Sequence, residues 1–174
     1  MRKFLLLCLL GLLASCSTHI DAYKDQSPAF KLETFFNGKL RAYGMVQDYS
    51  DRVTRRFSVE MIGTWKGNEG VLEEDFVYAD GEEQRRVWYL SKLADGRYSG
   101  RADDVVGTAL GSIEGFALNW HYTLQVPIDG EVMEFQLDDW MYLVEDNHLL
   151  NRATMKKFGL PVAEITLYIE RLDD

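Results

Sequence analysis

Phe116-Ala117-Leu118-Asn119-Trp120-His121-Tyr122-Thr123-Leu124-Gln125-Val126 is the stretch that decides the fold. Phe116, Leu118, Trp120, Tyr122, Leu124 and Val126 fall on one parity, and Ala117, Asn119, His121, Thr123 and Gln125 on the other. A period of two with one apolar side is the signature of a half-buried β-strand, because successive side chains of an extended chain point to opposite faces. The same alternation returns in Ala163, Ile165, Leu167 and Ile169 against Glu164, Thr166, Tyr168 and Glu170, and in Val53, Phe57, Val59 and Met61 against Thr54, Arg56, Ser58 and Glu60.

Turn residues separate these segments at short, regular intervals: Asp48-Tyr49-Ser50-Asp51, Lys66-Gly67-Asn68-Glu69-Gly70, Ala79-Asp80-Gly81-Glu82, Ala94-Asp95-Gly96, Pro127-Ile128-Asp129-Gly130 and Glu145-Asp146-Asn147-His148. Asp-Gly supplies the positive φ that tight hairpins demand, and strands joined by short hairpins are antiparallel. The pattern predicts about ten strands, near 34–47, 53–65, 71–78, 83–93, 97–106, 109–115, 116–126, 131–144, 149–158 and 162–171, with at most a helical turn around 29–34. A meander of that length exposes its edges unless it closes, so an all-β, antiparallel up-and-down barrel is expected. A two-sheet sandwich is the alternative, but it needs longer crossover connections than these turns allow. An outer-membrane pore also alternates, yet its lipid-facing side would here carry Arg56, Glu60, Glu164 and Glu170, each costing several kcal/mol at the bilayer midplane.

Ahead of the strands, Arg2-Lys3 precede an apolar run from Phe4 to Leu13, which ends in Leu13-Ala14-Ser15-Cys16. About ten apolar residues are too few to cross a hydrocarbon core, which needs about 20. The segment resembles a bacterial lipoprotein signal with its lipobox. That resemblance implies cleavage after residue 15, lipidation of the Cys16 thiol and acylation of the new amino terminus. Several acyl chains hold a protein firmly at a bilayer where one does not. Ser17 is not the aspartate of the inner-membrane retention rule of enteric bacteria, so the resemblance implies the outer membrane, on its periplasm-facing leaflet. The chain then divides into a signal peptide (1–15), a lipidated cysteine with a polar tether (16–29) and one barrel domain (30–174).

Composition narrows the function further. Removing Arg2 and Lys3 with the leader takes the formal charge from −9 to −11, which excludes nucleic acid and disfavours electrostatic adhesion to anionic headgroups. Cys8 departs with the leader and Cys16 is consumed by lipid, so the fold is expected to hold without a disulfide. The histidines, His19, His121 and His148, fall on the tether, a polar strand face and a turn. No metal-ligand spacing accompanies them, and no cofactor is expected. Gly111-Ser112-Ile113-Glu114-Gly115 is not a nucleophile elbow.

A barrel of eight to ten strands either fills with side chains or encloses one small apolar ligand. Phe57, Trp120 and Tyr122 are the expected large inner walls, whether as plain core or as cavity lining. Two charges share the parity of buried residues: Arg55 with Val53, Phe57, Val59 and Met61, and Asp139 with Met133, Phe135, Leu137, Met141 and Leu143. A charge on a buried face needs a partner or a charged ligand. One reading has Arg55, with Arg152 or Arg41, meeting the carboxylate or phosphate head of a lipid. Others have Arg55 pairing with Asp139, or a bulge at Asp138-Asp139 turning both acids to water. Neighbouring strand residues face opposite ways, so neither Asp103-Asp104 nor Asp138-Asp139 forms a catalytic or calcium-binding pair unaided.

The lipobox and meander, with Phe35-Phe36-Asn37-Gly38-Lys39-Leu40-Arg41-Ala42-Tyr43-Gly44, Gly100-Arg101-Ala102-Asp103-Asp104-Val105-Val106-Gly107 and Asp138-Asp139-Trp140-Met141-Tyr142-Leu143, resemble an uncharacterised family of proteobacterial lipoproteins known as a domain of unknown function. The resemblance implies a lipid connection and no activity. More distantly the architecture is similar to the lipocalin (calycin) and fatty-acid-binding barrels. Gly63-Thr64-Trp65 matches the Gly-x-Trp of lipocalins, although theirs opens the first strand and this one closes the second. Three functions follow as expectations: a membrane-anchored module that binds a fatty acid or phospholipid; an envelope interaction protein with a filled barrel that presents Trp88, Trp140 and Tyr142; and, with least support, a lipocalin-like enzyme.

Overall fold

The computed structural model of the protein describes residues 18–172. Leu13, Ala14, Ser15 and Cys16, which carry the lipobox reading, lie outside them. Ten strands follow in chain order: β1 (Gly38–Asp48), β2 (Val53–Lys66), β3 (Glu69–Tyr78), β4 (Glu83–Lys92), β5 (Tyr98–Arg101), β6 (Val105–Glu114), β7 (Ala117–Ile128), β8 (Glu131–Glu145), β9 (His148–Lys157) and β10 (Leu160–Arg171). Each pairs antiparallel with the next, and β1 pairs with β10 from Leu40↔Arg171 to Asp48↔Ala163, so the sheet is a closed barrel in sequence order. The expected all-β up-and-down barrel and its strand number are what the chain adopts. At the β7–β8 hairpin, Asp129 and Gly130 sit at φ +51° and +83°, the pair of positive values that a tight right-twisted hairpin requires.

The expected strand over 97–106 is broken. β5 stops at Arg101, the Val105 amide donates to Ala102 O at 3.1 Å, and the resulting turn places Asp103 and Asp104 between strands. The Asp138-Asp139 bulge is also absent, because pairing is continuous on both sides: Asp138↔His121 and Asp139↔Trp120, then Asp138↔Thr154 and Asp139↔Ala153.

The amino-terminal segment makes the two barrel ends unequal. A short helix, α1 (Leu32–Phe35), lies across the end where β1 begins. It buries Phe30, Leu32, Phe35 and Phe36, with Phe35 edge-on to both Phe30 and Phe36. Polar ties fix it there. Trp65 Nε1 donates to Phe36 O at 2.9 Å, Lys92 Nζ reaches Glu33 at 2.6 Å, and Tyr98 Oη donates to Glu33 at 2.6 Å. Trp65 thus locks the plug from the end of β2.

Part of the expected tether is ordered on the barrel. Ile20–Tyr23 form a 3-10 turn, and the Tyr23 ring stands edge-on to Phe116, Trp140 and Tyr142. Trp140 and Tyr142, stacked at 6.1 Å, are therefore an outer-face platform under this turn rather than a bare surface. Among the described residues, sheet closure and the buried core use residues 30–171. The outer face is charged along the strands, with Arg41–Glu60 at 2.7 Å, Arg85–Glu73 at 2.6 Å and Arg152–Glu164 at 2.5 Å.

Candidate ligand-binding site

The barrel is hollow. A cavity of about 520 Å³ runs from the plug to the opposite end, where Arg55, Tyr78, Glu82, Glu83, Gln84 and Gln125 form the mouth. That volume falls within the ordinary range for small-molecule sites, about 300–1,000 Å³. Small residues make the room. An ideal Cβ on Gly111 of β6 would lie 2.0 Å from Trp120, and one on Gly100 of β5 would lie 2.7 Å from it. The indole therefore rests directly on the sheet backbone instead of projecting across the lumen. Trp88 stands edge-on to Trp120 at 6.0 Å and to Tyr122 at 5.5 Å. Trp88 is thus an inner wall, not the surface residue that one reading placed beside Trp140 and Tyr142.

The two sides of the cavity differ in chemistry. β10, β1 and β2 present Ile165, Leu167, Ile169, Val46, Phe57 and Val59, all apolar. The side from β3 round to β9 carries Glu74, Arg86, Asp104, Tyr122, Asp139 and Asn151 among its aromatics. Arg86 is the hub. Its guanidinium forks onto Asp104, with Nε at 2.9 and 3.1 Å from the two carboxylate oxygens and Nη2 at 2.8 Å. Its Nη1 lies 3.6 Å from Glu74 Oε2, within ion-pair range but beyond a hydrogen bond. That Glu74 oxygen is buried and has no hydrogen-bond donor among the described residues.

Asp139, 5% exposed, accepts a hydrogen bond from Tyr122 Oη at 3.2 Å and another from Asn151 Nδ2. Burial pushes Asp139 up to about 6; the bonds from Asn151 and Tyr122 oppose the rise and Asp138 adds to it. Burial likewise pushes Glu74 up to about 7. Arg86 pulls it down, while Asp104 and Asp139 push it further up. For Arg86 burial works against the cation, but Glu74 and Asp104 outweigh it and hold the guanidinium above its ordinary value. Near neutral pH this wall is therefore poised between a neutral and an anionic state.

The residues singled out from sequence separate into two groups. Phe57, Trp120, Tyr122, Asp139 and Arg55 all line the cavity. Arg55 does not pair with Asp139. It sits at the mouth, 3.5 Å above the Tyr78 ring, with Nη2 at 2.7 Å from Glu82 and 3.7 Å from Asp80. Arg152 and Arg41 are not in the cavity. Asn151 and Ala153 take the inward parity of β9, which turns Arg152 out to Glu164 with its side chain 67% exposed. Arg41 meets Glu60 outside. Asp138 also points outward, to Asn119, Lys156 and His121. Glu74, Arg86, Asp104 and Asn151 were not anticipated. Among the described residues no group of His, Cys, Asp and Glu is arranged to hold a metal ion.

Solved structures resemble this chain at very low identity. An S-type phycobiliprotein lyase from Guillardia theta superposes with a TM-score of 0.61 at 8% identity, covering 83% of this chain and 94% of that one. Lobster apocrustacyanin A1 gives 0.38 at 10% identity, over 80% and 62% of the two chains. The likeness to the lyase extends over almost all of that protein and shows a shared barrel fold. No curated protein sequence matches. One family profile does, over residues 10–171, which takes in every strand, the plug and the whole lumen; the chain belongs to the family described as protein of unknown function DUF3833.

Proposed function

We propose that this protein is a lipoprotein anchored to the outer membrane through Cys16, facing the periplasm, and that its barrel binds one elongated hydrophobic ligand. The observation that carries the binding reading is the cavity of about 520 Å³, plugged at one end and open at the other. A void of that size has room for a single acyl chain. The phycobiliprotein lyase is named for work on a pigment-bearing protein, and its likeness here supports a barrel of this shape without specifying a ligand or a reaction.

The address rests on Leu13-Ala14-Ser15-Cys16. Only residues 17–19 separate Cys16 from the docked turn at Ile20, and four extended steps span at most about 14 Å. The turn lies beside the plugged end, where the ideal Cβ of Gly115 would meet Tyr23 O. Strands of ten or more residues, rising about 3.3 Å per residue at a tilt near 40°, set the mouth some 25 Å or more from that end. An anchor at Cys16 thus holds the plug towards the bilayer and turns the mouth into the periplasm.

Native mass spectrometry of residues 17–174, expressed without the leader and purified without detergent, tests the binding reading. The expected result is a population carrying one single-chain apolar molecule per barrel. A homogeneous apo mass that also takes up no added acyl chain contradicts it.

A further inference from the structure

The polar wall of the lumen lies part-way along the strands, with apolar side chains towards both ends. On β7, Tyr122 falls between Trp120 and Leu124; on β8, Asp139 falls between Leu137 and Met141; on β9, Asn151 falls between Leu149 and Ala153. A charged head at the end of a chain has water at the mouth, so a polar belt between two apolar zones meets the interior of a chain instead. Two acceptors of this belt keep spare capacity. Tyr122, half-buried on the cavity wall, gives its hydroxyl proton to Asp139 at 3.2 Å, and its Oη accepts no hydrogen bond among the described residues. Asn151 spends Nδ2 on Asp139 and on the Trp140 carbonyl, while its Oδ1 accepts none among the described residues. Hydroxyl and amide oxygens each hold two lone pairs, so both stand ready for a donor beside Asp139. An interior cation would face the Arg86 guanidinium, and an interior anion the Glu74, Asp104 and Asp139 carboxyls; either is costly in a low-dielectric site. A neutral hydroxyl meets neither penalty.

We infer that the cavity selects an apolar chain that carries a neutral hydroxyl in its interior, several carbons from either end, and that this hydroxyl donates to Tyr122 Oη on the β7–β8 wall, with Asn151 Oδ1 as the neighbouring acceptor. This rests on the reading that the barrel binds one hydrophobic chain, and it specifies that chain. The carbons on either side of the hydroxyl lie on the apolar wall of β10, β1 and β2, and any charged end stays at the mouth. A lumen without acceptors ranks the same chains in the opposite order, because a hydroxyl buried without a partner is penalised. The preference therefore has a sign that simple hydrophobicity cannot produce.

The test uses residues 17–174 and three probes below their micelle thresholds, octadecanoate, 2-hydroxyoctadecanoate and 10-hydroxyoctadecanoate, titrated at pH 8 with binding read by tryptophan fluorescence and calorimetry. The expected result is that the 10-hydroxy chain binds at least fivefold more tightly than octadecanoate, while the 2-hydroxy chain, whose hydroxyl stays with the head, lies within twofold of it. Tyr122→Phe should bring the 10-hydroxy and unsubstituted chains within twofold of each other. Circular dichroism checks the fold of the variant; if Tyr122→Phe fails to fold, Asn151→Ser serves in its place, with a smaller reduction of the preference. If neither variant folds, the ranking of the three chains on the parent protein decides. A 10-hydroxy chain that binds no more tightly than octadecanoate, or a preference undiminished in a folded variant, overturns the selectivity while leaving hydrophobic binding intact. Failure of all three probes to bind overturns the binding reading and this proposal with it.

Discussion

Replacing Glu74 by Gln is the perturbation whose size follows most directly from the lumen. The carboxyl is held at about 7 against an ordinary 4.5. Below pH 4.5 it is protonated in both the folded and the unfolded chain and has no effect on stability. As pH rises the unfolded chain releases its proton first, so stability falls by about 1.4 kcal/mol per pH unit until the folded group also ionises near 7. The accumulated loss is about 3 kcal/mol, complete by pH 8 and flat above it. Glutamine has nearly the shape of the protonated acid and does not titrate. Urea melts at pH 5, 6, 7 and 8 should therefore show Glu74→Gln close to the parent at pH 5 and up to about 3 kcal/mol more stable at pH 8. Arg86 keeps its fork to Asp104 throughout, so the variant does not leave the guanidinium alone. Acids outside the lumen titrate equally in both proteins, so the difference between the curves isolates position 74 together with the two lumen acids coupled to it, Asp104 and Asp139. Parallel curves across the whole range would refute the reasoning.

Arg86→Met should lower stability by about 3–5 kcal/mol in the same melts, because it strands Asp104 and Glu74 in the wall without their cation; a loss below 1 kcal/mol would mean that water already screens the cluster. Gly111→Ala should cost about 1–3 kcal/mol by overpacking, since the new Cβ meets Trp120 at 2.0 Å, and it should shift the tryptophan emission; an unchanged melt and spectrum would show that the ring is not seated there. Arg55→Ala should leave dodecanoate affinity within about twofold, its guanidinium being engaged by Glu82 and Asp80; a tenfold loss would restore the headgroup reading. Cys16→Ser should move the protein out of the outer-membrane fraction and abolish incorporation of labelled palmitate; unaltered fractionation would remove the anchor.

Much of the barrel was legible because its evidence is local. Phe116 to Val126 alternates cleanly, and Asp129-Gly130 prescribes its own hairpin. Asp139 and Arg55 were found by parity alone, since each interrupts a run of apolar residues at the inward step. The same test applied to β3 and β4 would have found Glu74, in step with Leu72 and Phe76, and Arg86, in step with Trp88 and Leu90. Their neighbours hid them: Glu73-Glu74-Asp75 and Arg85-Arg86 place like charges on both faces, so the inward acid and the inward base look like parts of solvated runs. Arg152 misled for the reverse reason, because its partner Glu164 lies across the β9–β10 pairing and no spacing in the chain announces it. Whether the barrel was filled or hollow was beyond any reading of the residues. The void depends on Trp120 lying over Gly100 and Gly111, a cross-strand contact fixed by the register of β5, β6 and β7 and by ring orientation, neither of which residue spacing states.

The central claim is that the barrel encloses a chain-shaped apolar void reached from its mouth. It is tested most directly by titrating residues 17–174 with an acyl chain brominated near its middle while tryptophan fluorescence is followed. Bromine must come within contact range to quench, and Trp88 and Trp120 line the lumen, whereas Trp65 packs on the plug and Trp140 on the outer face under Tyr23. The account predicts saturable quenching at one chain per barrel that survives in a Trp65→Phe, Trp140→Phe background. Quenching that rises without saturation, or that disappears in that background, would place the chain away from the lumen walls and contradict it.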